Sequence, residues 1–200
     1  MTYDYKILLA DDDDALRTAL GEFLSRLGFG VIEAVDGPSA LATALGNRID
    51  FSILDVHMPG MTGLEILTEL REARCRDAGP LPCILISAAA SQSERRAALQ
   101  RGAFRFLSKP FAVDSLVECV GELLRTFDPG PSGERMIARL ACGLSGTQES
   151  SGLPAPLDQL LPFFPFFHRP PDDTPSPDTP SQRWPGGERL NPDQDPRGTE

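Results

Sequence analysis

The amino-acid sequence predicts an α/β fold: a doubly wound parallel sheet of five strands with helices on both faces. Two observations lead there. Short apolar runs of strand length alternate five times with helical patterns within residues 1–127. The helical stretches have the length that a crossover between parallel strands requires, and right-handed crossovers leave few topologies.

The first strand is Tyr5–Ala10 (YKILLA), an aliphatic run followed by a helix over 14–27. Gly30–Ala34 (GVIEA) is the second, and Gly37-Pro38-Ser39 then supplies a start signal for a helix over 37–46, because proline is pre-organised for a first helical turn. Phe51–Asp55 (FSILD) and Pro82–Ser87 (PCILIS) have the β-branched and aliphatic content of strands, with helices over 63–74 and 92–101 behind them. Phe104–Leu107 (FRFL) is the fifth strand. Its helix, 112–126, carries Asp114 in the first turn, where a negative charge is favoured.

Composition changes near residue 128. Residues 1–127 hold 5 of the 19 prolines and residues 128–200 the other 14, a density that regular elements do not tolerate. The globular part is therefore expected to end near Phe127, with 128–200 a Pro-rich, largely disordered tail lacking a second globular domain. Glu134 to Leu144 could form a short amphipathic helix on Ile137, Leu140 and Leu144, yet three turns alone are marginal in water. Leu153–Phe167 is apolar but broken by prolines, with Phe163, Phe164, Phe166 and Phe167 the residues that would dock on something or aggregate.

The formal net charge is −10, from 29 acids against 19 bases, which argues against a general nucleic-acid binder. Within 128–200 the count is 11 acids to 6 bases, so direct nucleic-acid binding is not expected. No run approaches the length of a membrane span and the start lacks a signal-peptide pattern; a cytoplasmic location is expected. Cys75, Cys83, Cys119 and Cys142 are too sparse for a disulfide framework and read as reduced thiols.

The strand ends carry chemistry. The first strand runs into Asp11-Asp12-Asp13-Asp14, the third ends in Asp55, the fourth in Ser87, and Lys109-Pro110 follows the fifth. In a parallel sheet these positions converge on one rim. Asp11, Asp12 and Asp55 would repel one another without a cation. Mg²⁺ is the natural one, a hard ion that takes oxygen ligands and recruits phosphate. Lys109, one of two lysines beside 17 arginines, supplies a point charge suited to a phosphoryl group. Asp13 and Asp14 read as an ordinary acidic helix start.

The segments ILLADDDDALR (7–17), DFSILDVHMPGMTGLE (50–65), ILISA (84–88) and FRFLSKPF (104–111) resemble the receiver domain of bacterial two-component response regulators over about residues 5–126. The resemblance implies a flavodoxin-like sheet of order 2-1-3-4-5. It implies Asp55 as phospho-acceptor, Asp11 and Asp12 as the pair that holds Mg²⁺ with Asp55, and the backbone carbonyl of His57 as a further metal ligand. Ser87 would be the switch hydroxyl, Lys109 the phosphate contact, and Phe106 the switch aromatic. The implied partners are a sensor histidine kinase or histidine phosphotransfer protein and an output protein, with a phosphorylation-dependent homodimer also allowed.

On this reading the chain is a phosphorylation-controlled signalling module whose only catalysis is its own phosphotransfer and dephosphorylation. Two alternatives compete. A Mg²⁺-dependent aspartyl-phosphate phosphohydrolase would carry a second aspartate where His57 stands. A receiver-like interaction module that is never phosphorylated would have no need to keep Asp11, Asp12, Asp55, Ser87 and Lys109 together. His168, far from any acid at ligand spacing, reads as solvated.

Overall fold

The chain forms five strands and six helices over residues 5–74, 80–88 and 91–145, which the computed structural model describes. The strands are β1 (Lys6–Ala10), β2 (Gly30–Ala34), β3 (Phe51–Asp55), β4 (Cys83–Ser87) and β5 (Arg105–Ser108). They pair in parallel in the order β2-β1-β3-β4-β5. The helices are α1 (Asp14–Arg26), α2 (Gly37–Gly46), α3 (Gly63–Arg74), α4 (Gln92–Gln100), α5 (Val113–Phe127) and α6 (Pro131–Ser145). The predicted fold class and strand order are those observed.

The strand sequences explain where each strand sits. All five residues of β3 and of β4 are buried, as expected for interior strands packed on both faces. At the edges, every residue of β5 is half-buried and β2 exposes Glu33. Side chains alternate between faces along a strand. Ile7, Leu9, Phe51, Ile53, Ile84 and Ile86 therefore pack under α1 and α5. Leu8, Ala10, Leu54, Cys83 and Leu85 pack under α2, α3 and α4.

Local chemistry starts the helices. The Asp13 carboxylate accepts the Ala15 and Leu16 N–H groups at 2.9 and 3.1 Å, capping α1. Asp36 and Ser39 form a reciprocal capping box at α2, and Ser91 and Glu94 another at α4. Each satisfies N–H groups that a helix start leaves without partners.

The packed region does not stop at Phe127, which corrects the expected boundary. Helix α6 docks on the face covered by α1 and α5, placing Met136 and Leu140 in the same apolar cluster, with Ile137 at its margin. The Tyr5 hydroxyl, at the foot of β1, donates to the Asp128 carboxylate. Gly133 lets the first turn of α6 approach the preceding bend: a Cβ there would lie 1.9 Å from the Asp128 carbonyl oxygen. A helix marginal alone is stabilised by tertiary packing of its apolar stripe. The expectations for Leu153–Phe167, for His168 and for a disordered tail beyond residue 145 fall outside the described residues, as does Cys75.

Among the described residues no helix is long and apolar enough to cross a membrane. Cys83, Cys119 and Cys142 are free thiols, as expected. Burial pushes the Cys83 thiol up to about 12 and that of Cys119 to about 11, and a raised thiol pKa shrinks the reactive thiolate fraction. Exposed Cys142 should be alkylated by iodoacetamide in the native protein at pH 8, with Cys83 reacting only after denaturation. Peptide mass mapping reads this, and equal native labelling of both would contradict the buried placement of β4.

Candidate functional site

The strand register assembles the site. β1 and β3 are neighbours with Ala10 opposite Leu54, so the residues that follow, Asp11 and Asp55, emerge side by side. Both are almost completely buried, whereas Asp12, one step into the turn, is exposed. One carboxylate oxygen from each of Asp11, Asp12 and Asp55 lies within 4.8 Å of the others.

The cation comes from β5. Ser87 is aligned with Ser108, and the Lys109 N–H donates to the Ser87 carbonyl at 2.7 Å. From there the Lys109 ammonium reaches back over the rim, 2.6 Å from Asp11 Oδ2 and 3.0 Å from Asp55 Oδ2. The Asp13 N–H donates to Asp11 Oδ1 at 3.0 Å.

Burial pushes the Asp11 carboxyl above the usual carboxylate range; Lys109 and the Asp13 N–H oppose this, and Asp55 adds to it. Burial would lower Lys109, but hydrogen bonds and charge from Asp11 and Asp55 outweigh it and hold the ammonium above its ordinary value. Three carboxylates thus face one ammonium. The missing positive charge equals that of a divalent cation, and the donors are all oxygen, which suits a hard ion.

The other predicted residues lie around this cluster. The Ser87 side chain is fully buried at the end of β4. The His57 N–H donates to Asp55 Oδ1 at 3.4 Å. Its imidazole is exposed, with Nε2 3.7 Å from Glu94 Oε1 on α4. The Glu94 carboxylate is held below the usual range by the Ser91 N–H and hydroxyl, then by His57. Phe106 is half-buried against the α2–α3–α4 side of the core. The Arg95 guanidinium covers its ring at 5.5 Å from the centroid and donates to the Ser108 hydroxyl.

Three residues that touch the site were missed from sequence. Glu94 sat openly in a Ser-x-x-Glu pattern, the signal of a capping box. Arg17 and Arg95 had none, since a single arginine on a helix reads as solvated. Arg17 is instead buried beside the β1–α1 turn.

Residues 7–121 match the family model of the response regulator receiver domain. Response regulator MprA of Mycobacterium bovis (strain BCG / Pasteur 1173P2) is 39% identical over 136 residues, covering 68% of this chain and 57% of the relative. The chain thus spans little more than half the length of that relative. The receiver domain of the Francisella response regulator 1452 has a similar structure, with a TM-score of 0.55 at 30% identity, covering 60% of this chain and 95% of that one. A CheX–CheY–BeF3–Mg complex from Borrelia burgdorferi matches with a TM-score of 0.55 at 26% identity, covering 60% of this chain and 88% of that one.

Proposed function

The chain belongs to the response regulator receiver family of two-component systems, and from this premise we propose that it accepts a phosphoryl group on Asp55 and relays that event through a switching surface. The observation that carries the reading is the Lys109 ammonium bound to both Asp11 and Asp55 inside a cluster of three acids.

The donor is a phosphohistidine of a sensor histidine kinase or histidine phosphotransfer protein. A carboxylate oxygen of Asp55 forms the new O–P bond as the P–N bond breaks, and the bonding pair leaves with the imidazole nitrogen. The product is an acyl phosphate. Such a transfer demands positioning and charge neutralisation more than acid–base chemistry. Lys109 neutralises charge from one side. Asp11, Asp12, Asp55 and the His57 carbonyl would hold Mg²⁺, which supplies electrostatic stabilisation of the transferring oxygens. Hydrolysis by water at the same rim ends the signal, the only other reaction the module performs on itself.

Readout runs through β4 and β5. The Ser87 hydroxyl engages the phosphoryl group and Phe106 turns inward, shifting a surface on α4, β5 and α5 that an output protein or a second copy reads. The phosphohydrolase alternative is disfavoured because His57, where a second catalytic acid would stand, directs its imidazole to Glu94. The acidic 128–200 segment gives no support to direct nucleic-acid contact, and we assign the receiver unit to the span from β1 through α6.

Incubation with acetyl phosphate and Mg²⁺ should add one phosphoryl group by intact-mass measurement, and no adduct at saturating reagent would overturn the reading. Asp12→Ala removes one oxygen donor and one compensating charge. It should weaken Mg²⁺ binding about tenfold or more and slow adduct formation at limiting Mg²⁺; matching titration curves for variant and parent would remove Asp12 from the metal site.

A further inference from the structure

We propose that Arg17 is a positioning residue for the metal-holding acids: from beneath the β1–α1 turn it fixes the main chain at Asp11, and so the direction in which Asp11 and Asp12 present their carboxylates. The inference rests on the reading of that cluster as a Mg²⁺ site.

Arg17 is only 7% exposed, rare for a charged residue. Its guanidinium spans three segments. Nη1 donates to the Asp11 carbonyl at 2.8 Å, Nε to Glu33 Oε2 on β2 at 3.3 Å, and Nη2 to the Asp14 carboxylate in the first turn of α1. A planar fork with five N–H groups can serve three acceptors in fixed directions, and an ammonium of similar charge cannot.

One neighbour of this arrangement is small. Gly21 lies inside α1, a position where glycine weakens a helix. A Cβ there would come within 2.5 Å of Glu33 Oε1. The small residue leaves room for the carboxylate that orients Arg17.

Charge separates the role of Arg17 from that of Lys109. Two carboxylates, Asp14 and Glu33, already flank the guanidinium, so it does not act as a second counter-ion for the acid cluster. What it supplies is geometry. Asp11 is also held by Lys109 and the Asp13 N–H, but exposed Asp12 depends on the path of the turn. Mg²⁺ penalises misplacement of its ligands because it demands a near-octahedral shell.

The test is a Mg²⁺ titration of the full chain followed by ¹H–¹⁵N shifts of the Asp12 and Asp13 amides, in the parent, Arg17→Lys and Glu33→Gln. Arg17→Lys should raise the dissociation constant about tenfold, the usual effect of removing a group that orients a metal ligand, and Glu33→Gln should raise it less. Phosphorylation by acetyl phosphate should slow at low Mg²⁺ and recover at saturation. A purely structural role would lower the melting temperature while the folded chain kept the parental dissociation constant, which would overturn the proposal. Should Arg17→Lys not fold, Glu33→Gln decides alone, since it changes a side chain that is 43% exposed: a raised constant supports the proposal and an unchanged one overturns it. A parent that binds no Mg²⁺ overturns the metal-site reading and this inference with it. A parent that binds, with both variants equal to it, overturns this inference alone.

Discussion

Asp55→Asn should abolish the phosphoryl adduct formed with acetyl phosphate and Mg²⁺, while the chain stays folded. The substitution keeps the shape of the side chain and its contact with the His57 N–H, but an amide oxygen is no nucleophile toward phosphorus at neutral pH. It also removes one of the three neighbouring negative charges, so repulsion at the rim falls rather than rises. Lys109 keeps its bond to Asp11. Intact-mass measurement should find no adduct in the variant under conditions that saturate the parent. An undiminished adduct would move the acceptor to another acid, with Asp11 and Asp12 the first to test.

The second large effect concerns α6. A chain ending at residue 127 should be several kcal/mol less stable than one ending at residue 145, measured by urea denaturation. Met136 and Leu140 are 1% and 2% exposed, and truncating such a side chain to alanine costs about 2–5 kcal/mol. Cutting at 127 removes both and leaves the apolar surface beneath them open to water. Against a total stability of about 5–15 kcal/mol for a typical domain, the loss should bring the shorter chain close to unfolding at body temperature. Met136→Ala and Leu140→Ala in the longer chain should each reproduce part of it. Coincident urea midpoints for the two lengths would mean that α6 contributes nothing to the folded unit.

The two kinds of site residue differed in how readable they were. Asp11, Asp12, Asp55, Ser87 and Lys109 stand directly after aliphatic runs, so recognising the strands places them on one rim. The strands themselves were readable because large apolar residues dominate β3 and β4, with Phe51, Ile53 and Leu54 in one and Ile84, Leu85 and Ile86 in the other. The docking of α6 was not. Periodicity picks out Ile137, Leu140 and Leu144, while among the described side chains Met136 and Leu140 reach the core with Ile137 at its margin; periodicity marks a stripe on a helix but does not say which partner receives it. The arginines were illegible for a related reason. Arg17 meets Glu33 across 16 positions, and Arg95 meets Ser108 across 13. Nothing local distinguishes such residues from solvated ones.

The distance along the chain between Asp11 and Lys109 has a consequence for synthesis. The ammonium that bridges the two buried acids follows Asp11 by 98 residues. At about 5–20 residues per second, a ribosome needs about 5–20 s to travel between them. Throughout that interval the nascent chain holds Asp11 and Asp12 after β1, and later Asp55 at the end of β3, with no Lys109 ammonium opposite them. Their mutual repulsion works against early closure of the half-made sheet at that rim. The last strand to be made thus forms one edge of the sheet and is followed at once by the charge that stands opposite its central acids.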